Sequence, residues 1–314
     1  MDAHKEIFSK IGFNYLLLAL IPIIFQIFIA NIVSLIDASL LNDINVQTLI
    51  GSLTSYIIIF PIFIYLMRKI ESSNINENRL NVIGLLKCIC IAITLMIVGN
   101  LIGTVITTLI GNTMSNEVIN PVEQLIENSS IYINLLIICI VAPIFEEIFF
   151  RKILIERTIK YGAKLSIILS ALIFALFHGN LSQFFYAFFL GGFLAYLYIN
   201  TGKIIYPIII HACVNFYGSV VSIFFSSAAE NIAQGMMNTG DMGIIALYFT
   251  VLFIALFVGL YEIFTKYDKI ELNDSKREIY LEKPAKTVLL NVGMILLIIY
   301  FILKILTSLN IIMI

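Results

Sequence analysis

Charge is scarce in this chain, and so are most of the side chains that do chemistry. Only 12% of the 314 residues are Asp, Glu, Lys or Arg, against roughly 25% in an average soluble domain. There is no tryptophan, and there are six prolines, four cysteines and three histidines. The net charge of −1 offers no basic footprint, so nucleic acid is not an expected partner. Cys88, Cys90, Cys139 and Cys213 all fall inside apolar runs, where a thiol acts as a small hydrophobe rather than a disulfide partner or metal ligand. No fixed-period repeat and no low-complexity linker is present, and no His-Glu-x-x-His helix, the local mark of a zinc protease. The first ten residues are polar, and the apolar run after them is too long for a signal peptide; a retained first helix is expected.

What the chain has in abundance is apolar sequence. Hydrophobic residues make up 60% of it, with a mean hydropathy of +1.01. Apolar runs fall at 12–36, 48–67, 83–111, 131–150, 164–178, 182–199, 203–226, 242–264 and 287–312. Runs of this length predict an all-α, polytopic membrane helical bundle with about 8–9 transmembrane helices. The run at 131–150 is expected to continue as a polar helix toward residue 160. Lys and Arg occur in the N-terminus (Lys5, Lys10), at 68–82, at 151–164, at Lys203 and at 265–286, and are missing from 37–47, 112–130, 179–181 and 227–241. That alternation predicts a multi-pass protein of the cell membrane, with the N-terminus cytoplasmic and the C-terminus extracytoplasmic. Pro22 and Pro61 read as helix kinks, and Gly99-x-x-x-Gly103 as a helix-packing face.

Against this background the stretch Pro143-Ile-Phe-Glu-Glu-Ile-Phe-Phe-Arg151 is conspicuous. A charge near a bilayer centre costs roughly 2.5–3.5 kcal/mol on insertion scales. Glu147 and Arg151 are four apart, share a helix face and can pair. Glu146 is turned about 100° away and has no such partner on its own helix. His178 closes the fifth run, and His211 and Asn215 share a face of the seventh; His4 lies in the polar N-terminus. Polar groups inside a membrane face the bundle interior, so this set should converge on one cavity. Two chemistries use such a set. A carboxylate and a His can activate water, while another His and an Asn stabilise the oxyanion of an attacked carbonyl. Alternatively, Glu146, His178 and His211 could hold zinc. The first is favoured, with no cofactor, because Asn is a poor zinc ligand. Cys213 points to a different face from His211, so a nucleophilic cysteine is not expected.

Glu146-Glu147-x-x-x-Arg151, Phe174-x-x-x-His178 and His211-x-x-x-Asn215, in that order and in membrane runs, resemble the CPBP family of intramembrane proteases. That family includes the type II CAAX prenyl endopeptidase and bacteriocin-processing or immunity proteins. Gly191, Tyr198, Thr201-Gly202 and Pro207 also fall where members carry such residues, and Ala195 stands where a second glycine is common. The resemblance covers about 135–217. It implies an intramembrane endopeptidase, of the CAAX type or the peptide-maturation and bacteriocin-immunity type. Glu146 would be general base, His178, His211 and Asn215 the oxyanion site, and Glu147 and Arg151 support. Members are often described as metalloproteases, so zinc remains possible. It further implies one integral membrane domain: N-terminal transmembrane helices over 1–130, a catalytic core of four helices over 131–226, and C-terminal helices over 242–314. The partners expected are the bilayer and a membrane-associated peptide or protein substrate. A transporter relaying protons through Glu146 and the histidines is the main alternative, but it lacks repeat symmetry; a non-catalytic scaffold is the other. Straight helices would place His178 about 21 Å beyond Lys164, past the midplane, and Glu146 much nearer the cytoplasmic face.

Overall fold

Each of the nine apolar runs forms a helix in the computed structural model, which describes residues 3–114, 121–236, 238–266, 272, 274 and 276–312. In chain order the helices are α1 (Ala3–Asn42), α2 (Ile44–Met67), α3 (Val82–Thr113), the short α4 (Pro121–Asn128), α5 (Ile131–Tyr161) and α6 (Ala163–Phe177). There follow α7 (Leu181–Thr201), α8 (Ile205–Ala233), α9 (Thr239–Lys266), the short α10 (Pro284–Leu289) and α11 (Val292–Ser308). Seven are long and apolar enough to cross a membrane, whereas α6 and α11 have 15 and 17 residues. The fold is an all-α polytopic bundle. Its outer faces present large apolar side chains such as Ile24, Leu35, Phe253 and Phe257, a surface that only lipid covers without cost.

The two ends of the bundle differ in charge. At one end the Lys/Arg-bearing segments meet one another. Lys160 pairs with Glu71 at 2.8 Å and Lys203 with Glu77 at 3.5 Å. Asp274 accepts from the Ala163 backbone N–H at 2.6 Å, and His4 lies 3.2 Å from the Tyr161 hydroxyl. At the opposite end the Lys/Arg-free segments 37–47 and 121–130 meet, where the Ser130 backbone N–H donates to Asn45 Oδ1 at 2.8 Å.

Helices α6 and α7 form a hairpin that leaves from the basic end and returns to it. Gly99 and Gly103 of α3 let the α7 backbone approach so closely that a Cβ at either position would strike Tyr186 or Ser182. The tip of this hairpin, at His178–Leu181, lies inside the bundle, where Ser182 donates to Thr107 of α3 at 3.2 Å. Here the straight-helix depth estimate is corrected. Because α5 stays helical to Tyr161, Glu146 lies fifteen residues from its basic end. His178 lies fifteen residues from the start of α6 at Ala163. At about 1.5 Å per residue both sit about 22 Å from that end. The two groups share one depth.

Candidate active site

The geometry begins with Pro143. A proline in a helix has no N–H to give and crowds the carbonyl four residues back. Around it α5 widens into π turns at Asn134–Val141 and Ile148–Ile153, a form that recurs at functional sites. Ala142 donates to the Ile137 carbonyl, so the next carbonyl, Ile138, would need the N–H that Pro143 lacks. Asn215 on α8 supplies it, donating from Nδ2 at 2.8 Å. Asn215 is thus tied to α5 by the defect that Pro143 makes.

The two glutamates then take different environments. Glu147 is fully enclosed, its side chain 0% exposed, whereas that of Glu146 is 23% exposed. Glu147 Oε2 lies 3.1 Å from Arg151 Nε, the pair expected from their spacing. Its other oxygen has a partner that spacing along one helix cannot reveal, His211 Nδ1 on α8 at 2.8 Å. A carboxylate already paired with Arg151 only accepts, so His211 Nδ1 carries the hydrogen and Nε2 is left for the other side of the ring. That nitrogen lies 3.8 Å from Glu146 Oε2. His211 is gripped by one glutamate and faced by the other.

Arg151 is also 0% exposed, and its guanidinium carbon stands 4.2 Å above the Phe174 ring. Its nitrogens make no aligned hydrogen bond in the structure, so the Glu147 charge and the aromatic face carry the compensation for burying it. Gly191 makes the room: a Cβ there would lie 3.0 Å from Phe174 and 3.3 Å from Arg151 Nη2.

Glu146 has a donor from outside the stretch of resemblance. Tyr56 of α2 gives its hydroxyl hydrogen to Glu146 Oε1 at 3.0 Å, and its ring stacks on Phe145 at 5.4 Å between centroids. His178 is bonded through Nδ1 to the Phe174 carbonyl at 2.9 Å and meets Tyr186 edge-on at 5.7 Å. Gln183 donates to the Tyr186 hydroxyl at 2.7 Å. Nothing in the sequence singled out Tyr56, Gln183 or Tyr186; a tyrosine in an apolar run is the one cue, since its ring packs while its hydroxyl seeks a partner.

Glu146, His178, His211 and Asn215, with Tyr56 and Tyr186, line one cavity of about 1490 Å³. That exceeds the roughly 300–1,000 Å³ of a small-molecule pocket and suits a length of peptide. Its walls reach Gln47, Thr48, Glu127, Ser227 and Glu230, at the end without Lys and Arg. Toward the basic end the cavity is closed by packed aromatic rings. Phe150 lies 5.0 Å from Phe177 and 5.3 Å from Phe174, Phe177 lies 4.7 Å from Phe301, and Tyr15 donates to the Phe149 carbonyl at 2.6 Å.

Zinc is the group that two histidines and a glutamate suggest. Among the described residues no three or more His, Cys, Asp or Glu side chains are grouped so as to hold a metal ion. Nδ1 of His211 is held by Glu147 and Nδ1 of His178 by the Phe174 carbonyl, which leaves Nε2 as the nitrogen either ring could offer to a metal.

Comparison with known proteins agrees with the motifs. Residues 128–217 match the family model described as Type II CAAX prenyl endopeptidase Rce1-like. Comparisons with curated proteins and with solved structures gave no match. The matched stretch, residues 128–217, is similar to that family of CAAX-type proteases and carries Glu146, Glu147, Arg151, His178, His211 and Asn215.

Proposed function

We propose that the protein is an intramembrane endopeptidase in which Glu146 activates water without a metal ion. The observation that carries this reading is the split between the two glutamates. Glu147 is buried between Arg151 and His211, while Glu146 opens onto the cavity at 3.8 Å from His211 Nε2. A water held between Glu146 and His211 gives its proton to Glu146 as its oxygen attacks the scissile carbonyl carbon. The carbonyl π electrons move to oxygen, and Asn215, His178 and His211 face that charge. Asn215 retains one amide N–H beyond the one given to Ile138. With each Nδ1–H committed, either histidine donates through Nε2–H only in its doubly protonated form. Collapse of the intermediate breaks the C–N bond, and the leaving amine takes the proton from Glu146. The products are a carboxylic acid and an amine, and Glu146 is regenerated.

The basic end of the bundle is assigned to the cytoplasm by its Lys and Arg. The cavity therefore receives substrate from the extracytoplasmic side or laterally from the bilayer. A membrane-associated peptide or protein segment is the class of substrate that fits. Purified protein incubated in detergent with a mixed-sequence peptide library should generate new termini detectable by mass spectrometry. Preparations of His178→Ala and His211→Ala should generate few. An absence of new termini, or equal termini from all three preparations, would overturn the reading in favour of transport or scaffolding.

A further inference from the structure

Among the described residues, one cation stands in the cavity wall outside any ion pair. Lys304 is the sole charged residue of α11 (Val292–Ser308) and the only Lys or Arg among the residues that line the cavity. Among the described residues it forms no ion pair, while the deeply buried Arg151 and Lys160 each have a carboxylate. An intramembrane cation is unfavourable enough that its presence indicates a use. A lysine near a helix end can instead extend toward the interface. The path of this side chain argues otherwise. Its stem crosses Gly179, where a Cβ would lie 2.7 Å from Cδ and Cε and 3.1 Å from Nζ, at a turn with φ of +66°. The ammonium group therefore lies over the residue that follows His178.

Resting on the endopeptidase reading above, we propose that Lys304 anchors a carboxylate of the bound peptide. An ammonium facing a carboxylate makes a charge-assisted hydrogen bond, stronger than a neutral one. Such an anchor beside His178 sets the cut a fixed, short distance along the chain from that carboxylate. The carboxylate can be the C-terminus of the peptide or an Asp or Glu side chain, and the two sources are separable.

The test uses the full-length protein in detergent with mixed-sequence peptides prepared as free acids, as C-terminal amides, and as amides lacking Asp and Glu. Mass spectrometry reads cut positions and initial rates. Wild type should cleave free acids at least about 10-fold faster than amides lacking Asp and Glu, as the loss of one charged hydrogen bond implies. Lys304→Met should abolish that preference while the amides lacking Asp and Glu are cleaved as before, and Lys304→Arg should keep it. Faster cleavage of amides that contain Asp or Glu, also lost in Lys304→Met, identifies the side-chain source. Equal wild-type rates on all three sets, or a preference that survives Lys304→Met, overturns the anchor and leaves the protease intact. No cleavage of any set by wild type overturns both.

Discussion

Neutralising Glu147 should unfold the protein far more readily than its conservative chemistry suggests. In Glu147→Gln the fully buried Arg151 keeps its charge and loses the one carboxylate it pairs with among the described residues, at 3.1 Å, with no aligned hydrogen bond to fall back on. Removing one partner of a buried ion pair costs about 3–5 kcal/mol. The glutamine oxygen can still accept from His211 Nδ1, so the penalty falls on Arg151. Arg151→Met alone strands the Glu147 charge, partly relieved by His211, and should cost less. The double variant removes both charges and seats a thioether against Phe174, the ring now under the guanidinium, a favourable contact. It should return to within about 1.5 kcal/mol of wild type, since replacing a buried pair by apolar groups is often neutral or better. Equilibrium unfolding in mixed micelles, read by tyrosine fluorescence at matched protein and detergent, gives the cycle. Single variants costing under about 1 kcal/mol, or a double variant as unstable as the sum of the two, would refute this account of the pair.

Four further outcomes follow. Asn215→Ala should cost about 1 kcal/mol, the loss of a part-buried hydrogen bond to the Ile138 carbonyl, read by the same unfolding assay. Tyr56→Phe keeps the ring stack on Phe145 but removes the donor to Glu146, so kcat/KM should fall with unfolding shifted by less than about 1.5 kcal/mol. Peptide cleavage should survive exhaustive chelation; parallel loss and zinc-dependent recovery of activity would make Glu146, His178 and His211 ligands. A reporter fused after Ile314 should read as extracytoplasmic, and a cytoplasmic reading would reverse the assigned end.

Much of the bundle was legible because a bilayer enforces long apolar runs, and because Lys and Arg gather at one end. The Glu147–Arg151 pair was legible for a simpler reason: both residues lie on one helix, where spacing sets contact. What lay hidden depends on contacts between helices. The grip of Glu147 on His211 joins residues 64 apart, and the Tyr56–Glu146 bond joins residues 90 apart. Local irregularity hid the rest. Pro143 widens α5 into π turns, which no apolar periodicity announces, and the resulting orphan carbonyl is what Asn215 answers. The polar helix from Arg151 toward residue 160, by contrast, was expected from the sequence. Those residues remain helical because the basic-end loops supply their partners, Glu71 to Lys160 and the Met67 carbonyl to Arg157 at 2.8 Å. That continuation is what brings Glu146 level with His178.

The most direct measurement is the initial cleavage rate of Glu146→Gln beside wild type, at matched folded protein. Glu146 is partly exposed, bonded to Tyr56 and, among the described residues, in no ion pair with an arginine, so its glutamine variant should unfold within about 1 kcal/mol of wild type, as the loss of one charged partner in a wet site implies. Its cleavage rate should fall by at least about 10²–10⁴-fold, the usual worth of a general base. A folded Glu146→Gln protein that cleaves at near wild-type rate, beside a stable but inactive Glu147→Gln, would show that the two glutamates had been assigned the wrong way round.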